Sequence, residues 1–388
     1  VPPSSDFVSL APNCFLKELE EPYIYNAATD DLYEVNGEAL EFLKQCDGSR
    51  RLGELIWKAE FVDYCLSEDL LKLSPHPHPH PLKVGTAPKP SLRYLELQLT
   101  ARCNLRCHHC YLGEARSVDL PVDTALRVME EFADMGGLRL LLSGGEPLLH
   151  PRFWEIHEAL PGLGCRSILL TNGTLLDARV CRRLRVHQAQ VSIDGLEAAH
   201  DALRGRGSFA MAVRAVQELR HAGRDVSVAT MVQRANRDDF PRLKEMLQEL
   251  GVSQWTVDVP CVTGHLEQNP DLALDYTEAA GYLKYGYGGG LYTSSPGYAC
   301  GTHLCAVLPN GRVAKCGFYS DQTVGGVEKG LAVCWARIAP LRTADLGCRC
   351  PHLEECRGGC RYRAFLTGDP LGPDPVQCAL RGVSVARS

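Results

Sequence analysis

The chain has no surplus of positive charge: 41 Lys and Arg stand against 47 Asp and Glu over 388 residues, a net charge of -6. That balance lacks the basic footprint that nucleic acid or an anionic membrane surface would require of a partner. No apolar run approaches the roughly twenty residues of a membrane span. The first residues, Val1 to Asp6, carry neither the basic nor the apolar region of a secretory signal, so the expected compartment is cytoplasmic. Cysteine, by contrast, is abundant. Eighteen would suit a disulfide framework only in a small secreted protein. In a chain of this length, without an export signal, clustered cysteines point to metal. Apolar content of 45% and charged content of 23% are ordinary, and the length fits two or three domains.

Three blocks separate along the chain. Residues 1–75 read as short strands followed by helices. Tyr23–Asn26 and Leu32–Val35 flank a turn-rich stretch and predict a hairpin. Asn36 is placed to cap a helix through Leu40, Phe42 and Leu43, and a second helix is expected through Leu52, Leu55, Ile56 and Ala59. In residues 76–92 His alternates with Pro at His76, His78 and His80. Such a run cannot be helical and predicts an extended linker whose histidines do not converge on one ion.

Residues 93–280 alternate strand and helix. Apolar strands are expected at Tyr94–Leu99, Leu138–Leu142, Ser167–Leu170, Ala189–Ile193, Val226–Val232 and Trp255–Val259, with helical stripes such as Ala125, Val128, Met129 and Phe132 between them. Repeats of this kind predict an α/β fold, a parallel sheet curved into a partial (β/α)6 barrel. Chemistry is then expected on loops at the C-terminal ends of the strands. Residues 281–388 lose helical periodicity and gain glycine and cysteine, the composition of a block that depends on metal for its fold.

Cys103, Cys107 and Cys110 lie at C-x3-C-x2-C spacing directly after the first barrel strand. A structural zinc site or an ordinary cubane takes four ligands, so three close thiols predict a four-iron cluster with one iron open to a ligand. One strand later comes Ser143-Gly144-Gly145-Glu146-Pro147. Together these segments closely resemble the radical S-adenosylmethionine (SAM) family. The resemblance implies that the open iron chelates SAM and that Gly144, Gly145, Glu146 and Pro147 receive its amino group. Asn172, Ser192 and Asp194 match strand-end segments near the SAM ribose and carboxylate. Arg204 matches an arginine that pairs with the carboxylate, as a planar guanidinium suits. His109, before the third cysteine, holds a position whose ring can lie against adenine. A zinc knuckle or a set of redox thiols is the alternative for the thiols alone.

The last block resembles a SPASM domain, the C-terminal cysteine-rich iron–sulfur extension of peptide-modifying members of that family. The resemblance implies one auxiliary [4Fe-4S] cluster on Cys300, Cys305, Cys316 and Cys360, and another on Cys348, Cys350, Cys356 and Cys378. One residue separates Cys348 from Cys350 where the usual pattern has two. Eight thiols could instead hold two zinc ions. Residues 1–75 resemble the winged-helix-like α+β recognition domain of ribosomal-peptide maturases, where a leader peptide adds a strand to a sheet edge.

The whole implies a maturase of a ribosomally made precursor peptide carrying three [4Fe-4S] clusters and SAM, with flavodoxin or ferredoxin as electron donor. The expected product is an intramolecular thioether or carbon–carbon cross-link. A formylglycine-generating sulfatase maturase is one alternative, though Gly317 stands where those enzymes commonly place an Asp. A small-molecule radical SAM enzyme and a non-catalytic zinc-stabilised interaction protein are the others.

Overall fold

The structure is a computed structural model that describes residues 5–289, 297–299 and 301–384. The first block contains β1 (Phe7–Leu10), β2 (Cys14–Glu18), β3 (Pro22–Asn26), β4 (Asp31–Glu34), α1 (Gly37–Leu43), β5 (Asp47–Arg51), α2 (Ala59–Ser67) and β6 (Leu71–Ser74). The expected hairpin is β3–β4, closed where the Asn26 side chain accepts the N–H groups of Ala28 and Thr29. Asn36 caps α1 by accepting the Ala39 N–H at 2.9 Å. Leu40, Phe42 and Leu43 then pack with Val62 and Cys65 of α2 in a core of their own.

The second helix does not begin at Leu52. β5 keeps the chain extended as far as Arg51, which pairs with Phe7, and Leu52–Glu54 form only one 3-10 turn. Leu55 is extended again and Ile56 is 98% exposed, so α2 starts at Ala59. The Pro/His linker is extended as expected, but it is not loose. His78 and His80 donate their N–H groups to Gly48 and Asp47, and β7 (Val84–Thr86) then pairs in parallel with β2. The result is a four-stranded sheet ordered β4-β3-β2-β7, in which β4 is an edge.

The barrel strands are β8 (Tyr94–Thr100), β9 (Arg139–Gly144), β10 (Arg166–Thr171), β11 (Gln188–Ser192), β12 (Asp225–Met231) and β13 (Gln254–Asp258), parallel and in sequential order. Between them run α3 (Val122–Asp134), α4 (Phe153–Glu158), α5 (Ala178–Arg183), α6 (Glu197–Arg204), α7 (Ser208–His221) and α8 (Phe240–Glu249). The predicted α3 stripe is wholly buried in the main core. The sheet does not close. Instead β14 (Leu304–Val307) pairs in parallel with β8, and β15 (Arg312–Ala314) and β16 (Thr323–Gly326) follow antiparallel. The cysteine-rich block therefore begins as a continuation of the barrel sheet, which its composition did not reveal.

The first block docks at the N-terminal ends of the barrel strands. Arg139, opening β9, pairs with Asp30 at 2.6 Å, and Arg166, opening β10, donates to the Ala27 and Ala28 carbonyls. Arg93 meets Glu20 at 2.6 Å, and Lys17, almost fully buried, donates to the Gly137 carbonyl at 2.9 Å. Among the described residues no helix is long and apolar enough to cross a membrane.

Candidate active site

At the opposite end of the barrel, the C-terminal ends of the strands frame a cavity of about 770 Å³, whose wall includes Cys103, Cys107 and Cys110. Two glycines make this possible. A Cβ on Gly144 would lie 2.3 Å from the Thr100 carbonyl oxygen, and one on Gly145 would lie 2.3 Å from that of Arg102. Without side chains, the end of β9 abuts the cysteine loop, and Gly145 and Glu146 donate their N–H groups to those two carbonyls.

The thiols face donors suited to thiolate sulfur. The Leu105 N–H lies 3.5 Å from Cys103 Sγ, Asn172 Nδ2 lies 4.0 Å from the same sulfur, and Arg204 Nη1 lies 3.9 Å from Cys107 Sγ. Burial pushes the Cys107 thiol up to about 11 while Arg204 pulls it down. A metal centre would overcome that penalty, since a coordinating thiol is deprotonated outright. Among the described residues no three ligand side chains stand at single-ion spacing, and a four-iron cluster holds its thiolates further apart than one ion does.

Two of the expected SAM-site residues, Glu146 and Asp194, are fully buried. Glu146 is completely buried behind the wall, accepting from Thr171 Oγ1 at 2.9 Å, the Asn172 N–H at 2.9 Å and the Leu148 N–H at 3.3 Å. Burial pushes its carboxyl up to about 7 against those donors. It braces β9 to β10, and Pro147 is buried beside it. The backbone of Gly144 and Gly145 supplies the cavity surface there. Asp194 is likewise fully buried, receiving Arg204 Nε at 2.6 Å, His109 Nε2 at 3.0 Å and the Met231 N–H at 2.7 Å. Burial opposes its charge, but Arg204 and His109 hold its carboxyl well below the usual range. Asp194 thus positions Arg204 and His109, and those two reach the cavity with Asn172 and Ser192. His109 Nδ1 has no partner among the described residues.

In the last block Cys348, Cys350, Cys356 and Cys378 are mutual electrostatic neighbours, so the structure brings the second expected set together. The members of the first set stand on separate elements. Cys300 lies outside the described residues. Cys305 is fully buried on β14 in the main core, with Cys334 and Glu96 as its electrostatic neighbours. Cys316 precedes the turn Gly317–Tyr319, near Tyr111. Cys360 shares a hydrogen bond with Cys261, a thiol on the cavity wall just beyond the sixth barrel strand. Arg363 locks this junction, binding Asp258, the Val259 carbonyl and Asp374. Glu96 was also missed. Its signal was one acidic residue inside the apolar strand Tyr94–Thr100.

Residues 97–247 match the radical SAM superfamily. Over 337 residues the chain is 30% identical to the AdoMet-dependent heme synthase of Methanosarcina barkeri, covering 73% of this chain and 95% of that protein. Over 320 residues it is 31% identical to the mycofactocin maturase MftC of Mycobacterium ulcerans, covering 72% and 86%. Streptococcus suis SuiB, solved bound to S-adenosylmethionine, shares the fold at a TM-score of 0.69 and 14% identity, over 95% of this chain and 99% of that one. SuiB bound to its precursor peptide SuiA gives 0.68, at 13% identity over 96% and 99%. Native anSMEcpe with bound AdoMet gives 0.59, at 18% identity over 74% and 94%. The chain belongs to the radical SAM superfamily. Membership implies a SAM-binding four-iron cluster, and the three-thiol loop with its N–H donors fits one.

Proposed function

We propose that this chain is a radical SAM maturase that cross-links a ribosomally made precursor peptide, through a thioether or a carbon–carbon bond. The observation that supports it most is the first block: a strand–helix unit with its own core and a free β4 edge, joined to a radical SAM barrel. The SuiB fold extends over 95% of the chain, whereas anSMEcpe covers 74%.

In this reading Cys103, Cys107 and Cys110 hold the SAM cluster. The Gly144–Gly145 backbone, Asn172, Ser192, Arg204 and His109 frame SAM. When bound, cluster and SAM together supply a 5′-deoxyadenosyl radical that removes hydrogen from the peptide. Cys348, Cys350, Cys356 and Cys378 hold one auxiliary cluster, and Cys300, Cys316 and Cys360 contribute to another. Flavodoxin or ferredoxin delivers the electron, and residues 1–75 bind the leader along β4.

The test is mass spectrometry of candidate precursor after anaerobic incubation with SAM and reductant, joined to hydrogen exchange. Loss of mass in the core peptide and slowed exchange at Asp31–Glu34 are expected. Exchange unchanged across β4 at saturating precursor removes the leader assignment. A second reading, a tetrapyrrole-modifying enzyme, is favoured by the 30% identity over 95% of the heme synthase. It predicts that an iron porphyrin binds in the cavity and that precursor peptides are left unmodified.

A further inference from the structure

The barrel floor carries a carboxylate for which neither the SAM cluster nor the fold has a use. Glu96 points inward from β8 onto the cavity wall. Its Oε1 receives three donors: Ser143 Oγ at 2.9 Å, Gln98 Nε2 at 2.9 Å and the Tyr111 hydroxyl at 3.3 Å. These come from β8, β9 and the end of the cysteine loop, so the carboxyl group is fixed in orientation. Its Oε2 has no donor among the described residues. That oxygen faces Gly317, where a Cβ would lie 2.7 Å from it, 3.0 Å from the Tyr111 hydroxyl and 3.2 Å from Gln98 Nε2. The missing side chain at Gly317 keeps the oxygen uncovered. Structural carboxylates in this molecule, Glu146 and Asp194, have both oxygens occupied and lie behind the wall. Glu96 is held by one oxygen and open at the other.

We propose that Glu96 is a catalytic residue that accepts a proton from the peptide group being joined. The proposal rests on the peptide-maturase reading. Closing a bond between a carbon and a second group X removes two hydrogens. One leaves the carbon as an atom and ends in 5′-deoxyadenosine. The X–H bond breaks, its proton goes to Glu96 Oε2, and the remaining electron passes to an oxidised iron–sulfur centre as acceptor. Five electrons, from the C–H bond, the X–H bond and the adenosyl radical, become the C–X bond, the new C–H bond of 5′-deoxyadenosine and the one electron passed to the acceptor.

The experiment uses the full chain, reconstituted anaerobically, with a uniformly deuterated precursor. Glu96→Gln keeps the shape but cannot take the proton. Its iron content and its transfer of deuterium into 5′-deoxyadenosine should match the unaltered chain, while cross-linked peptide falls about 100-fold or more. Glu96→Asp, which withdraws the carboxylate by one methylene, should recover part of the product. Gly317→Ala, which crowds Oε2, should lower product with iron unchanged. Product at the unaltered rate in Glu96→Gln overturns the assignment. So does loss of deuterium transfer in both Glu96 variants at normal iron, which would make Glu96 a positioning residue for the peptide. If the unaltered chain itself modifies no precursor, the maturase reading fails first and the proton-acceptor role falls with it.

Discussion

Arg204 Nε lies 2.6 Å from Asp194 Oδ2, and Nη1 of the same guanidinium lies 3.9 Å from Cys107 Sγ. One buried carboxylate at the end of β11 therefore aims a cation at the cysteine loop. It shares that oxygen with His109 at 3.0 Å, while its other oxygen takes the Met231 N–H of β12. Strand ends, cysteine loop and cavity wall are coupled through this single side chain.

Asp194→Ala leaves a buried arginine without its counter-charge and His109 Nε2 without its partner. Removing one partner of a buried ion pair typically costs about 3–5 kcal/mol. Urea unfolding of the cluster-free protein should show a loss of that order, with a smaller loss for Asp194→Asn. A change below about 1 kcal/mol would mean that Arg204 and His109 find other partners.

Glu146→Gln separates bracing from direct SAM binding. The amide keeps one acceptor oxygen but turns its N–H groups toward either the Asn172 or the Leu148 N–H, leaving that donor unpaired in a fully buried site. Stability should fall by about 1–3 kcal/mol. A residue bonded directly to the SAM ammonium would behave otherwise: affinity for SAM would drop with stability unchanged. Equilibrium binding and thermal melts on one preparation distinguish the two.

The sequence carried the strand–helix order of the barrel because apolar periodicity is local, and it carried the three-thiol loop because that site is built on one short segment. It did not show the burial of Glu146 and Asp194, whose neighbours come from other strands: a motif states which residue stands at a strand end, not which way its carboxylate turns. The helix expected at Leu52 was lost to a long-range pairing, Phe7 with Arg51, that residue spacing does not encode. Cys305 matches a ligand position of the family, and on β14, where three successive residues are buried, its side chain lies in the core. The continuation of the barrel sheet by β14 was likewise invisible, since β8 and β14 are far apart in the chain.

Asp30 tests how firmly the first block is fixed. It accepts the Tyr25 hydroxyl at 2.6 Å and pairs with Arg139 at 2.6 Å, from a left-handed backbone at φ 71°. Asp30→Ala strips Arg139 of its carboxylate and puts an alanine in strained backbone, so a loss of about 3–5 kcal/mol is expected. Asp30→Gly removes the same charge while relieving the backbone, and should recover about 1 kcal/mol. If the docking holds, protease cleavage within residues 76–92 should accelerate in both variants. Cleavage at the unaltered rate would show that the backbone bonds of His78, His80 and β7 suffice to hold the linker.

Two buried histidines set the acid limit of the fold. His157 Nε2 accepts the Arg185 N–H at 2.8 Å, and His200 Nδ1 accepts the Asp194 N–H at 3.1 Å. Burial, reinforced by nearby arginines, holds each down to about 4 from an ordinary 6.5. The unfolded chain therefore binds protons first as pH falls below 6.5, so stability present above that value is lost on the way to 4. Glu146 works in the other direction. Its carboxyl, raised from 4.5 to about 7, takes up a proton in the folded state first and favours folding as pH drops from 7 to 4.5. Burial also holds down His187 and His303, so the histidines outweigh Glu146 and leave a net loss. The melting temperature of the cluster-free protein should be lower at pH 5 than at pH 7, and His157→Gln, which keeps an acceptor but cannot titrate, should shrink the difference. Glu146→Gln should enlarge it. An unchanged difference in His157→Gln would show that this ring is not what acid attacks.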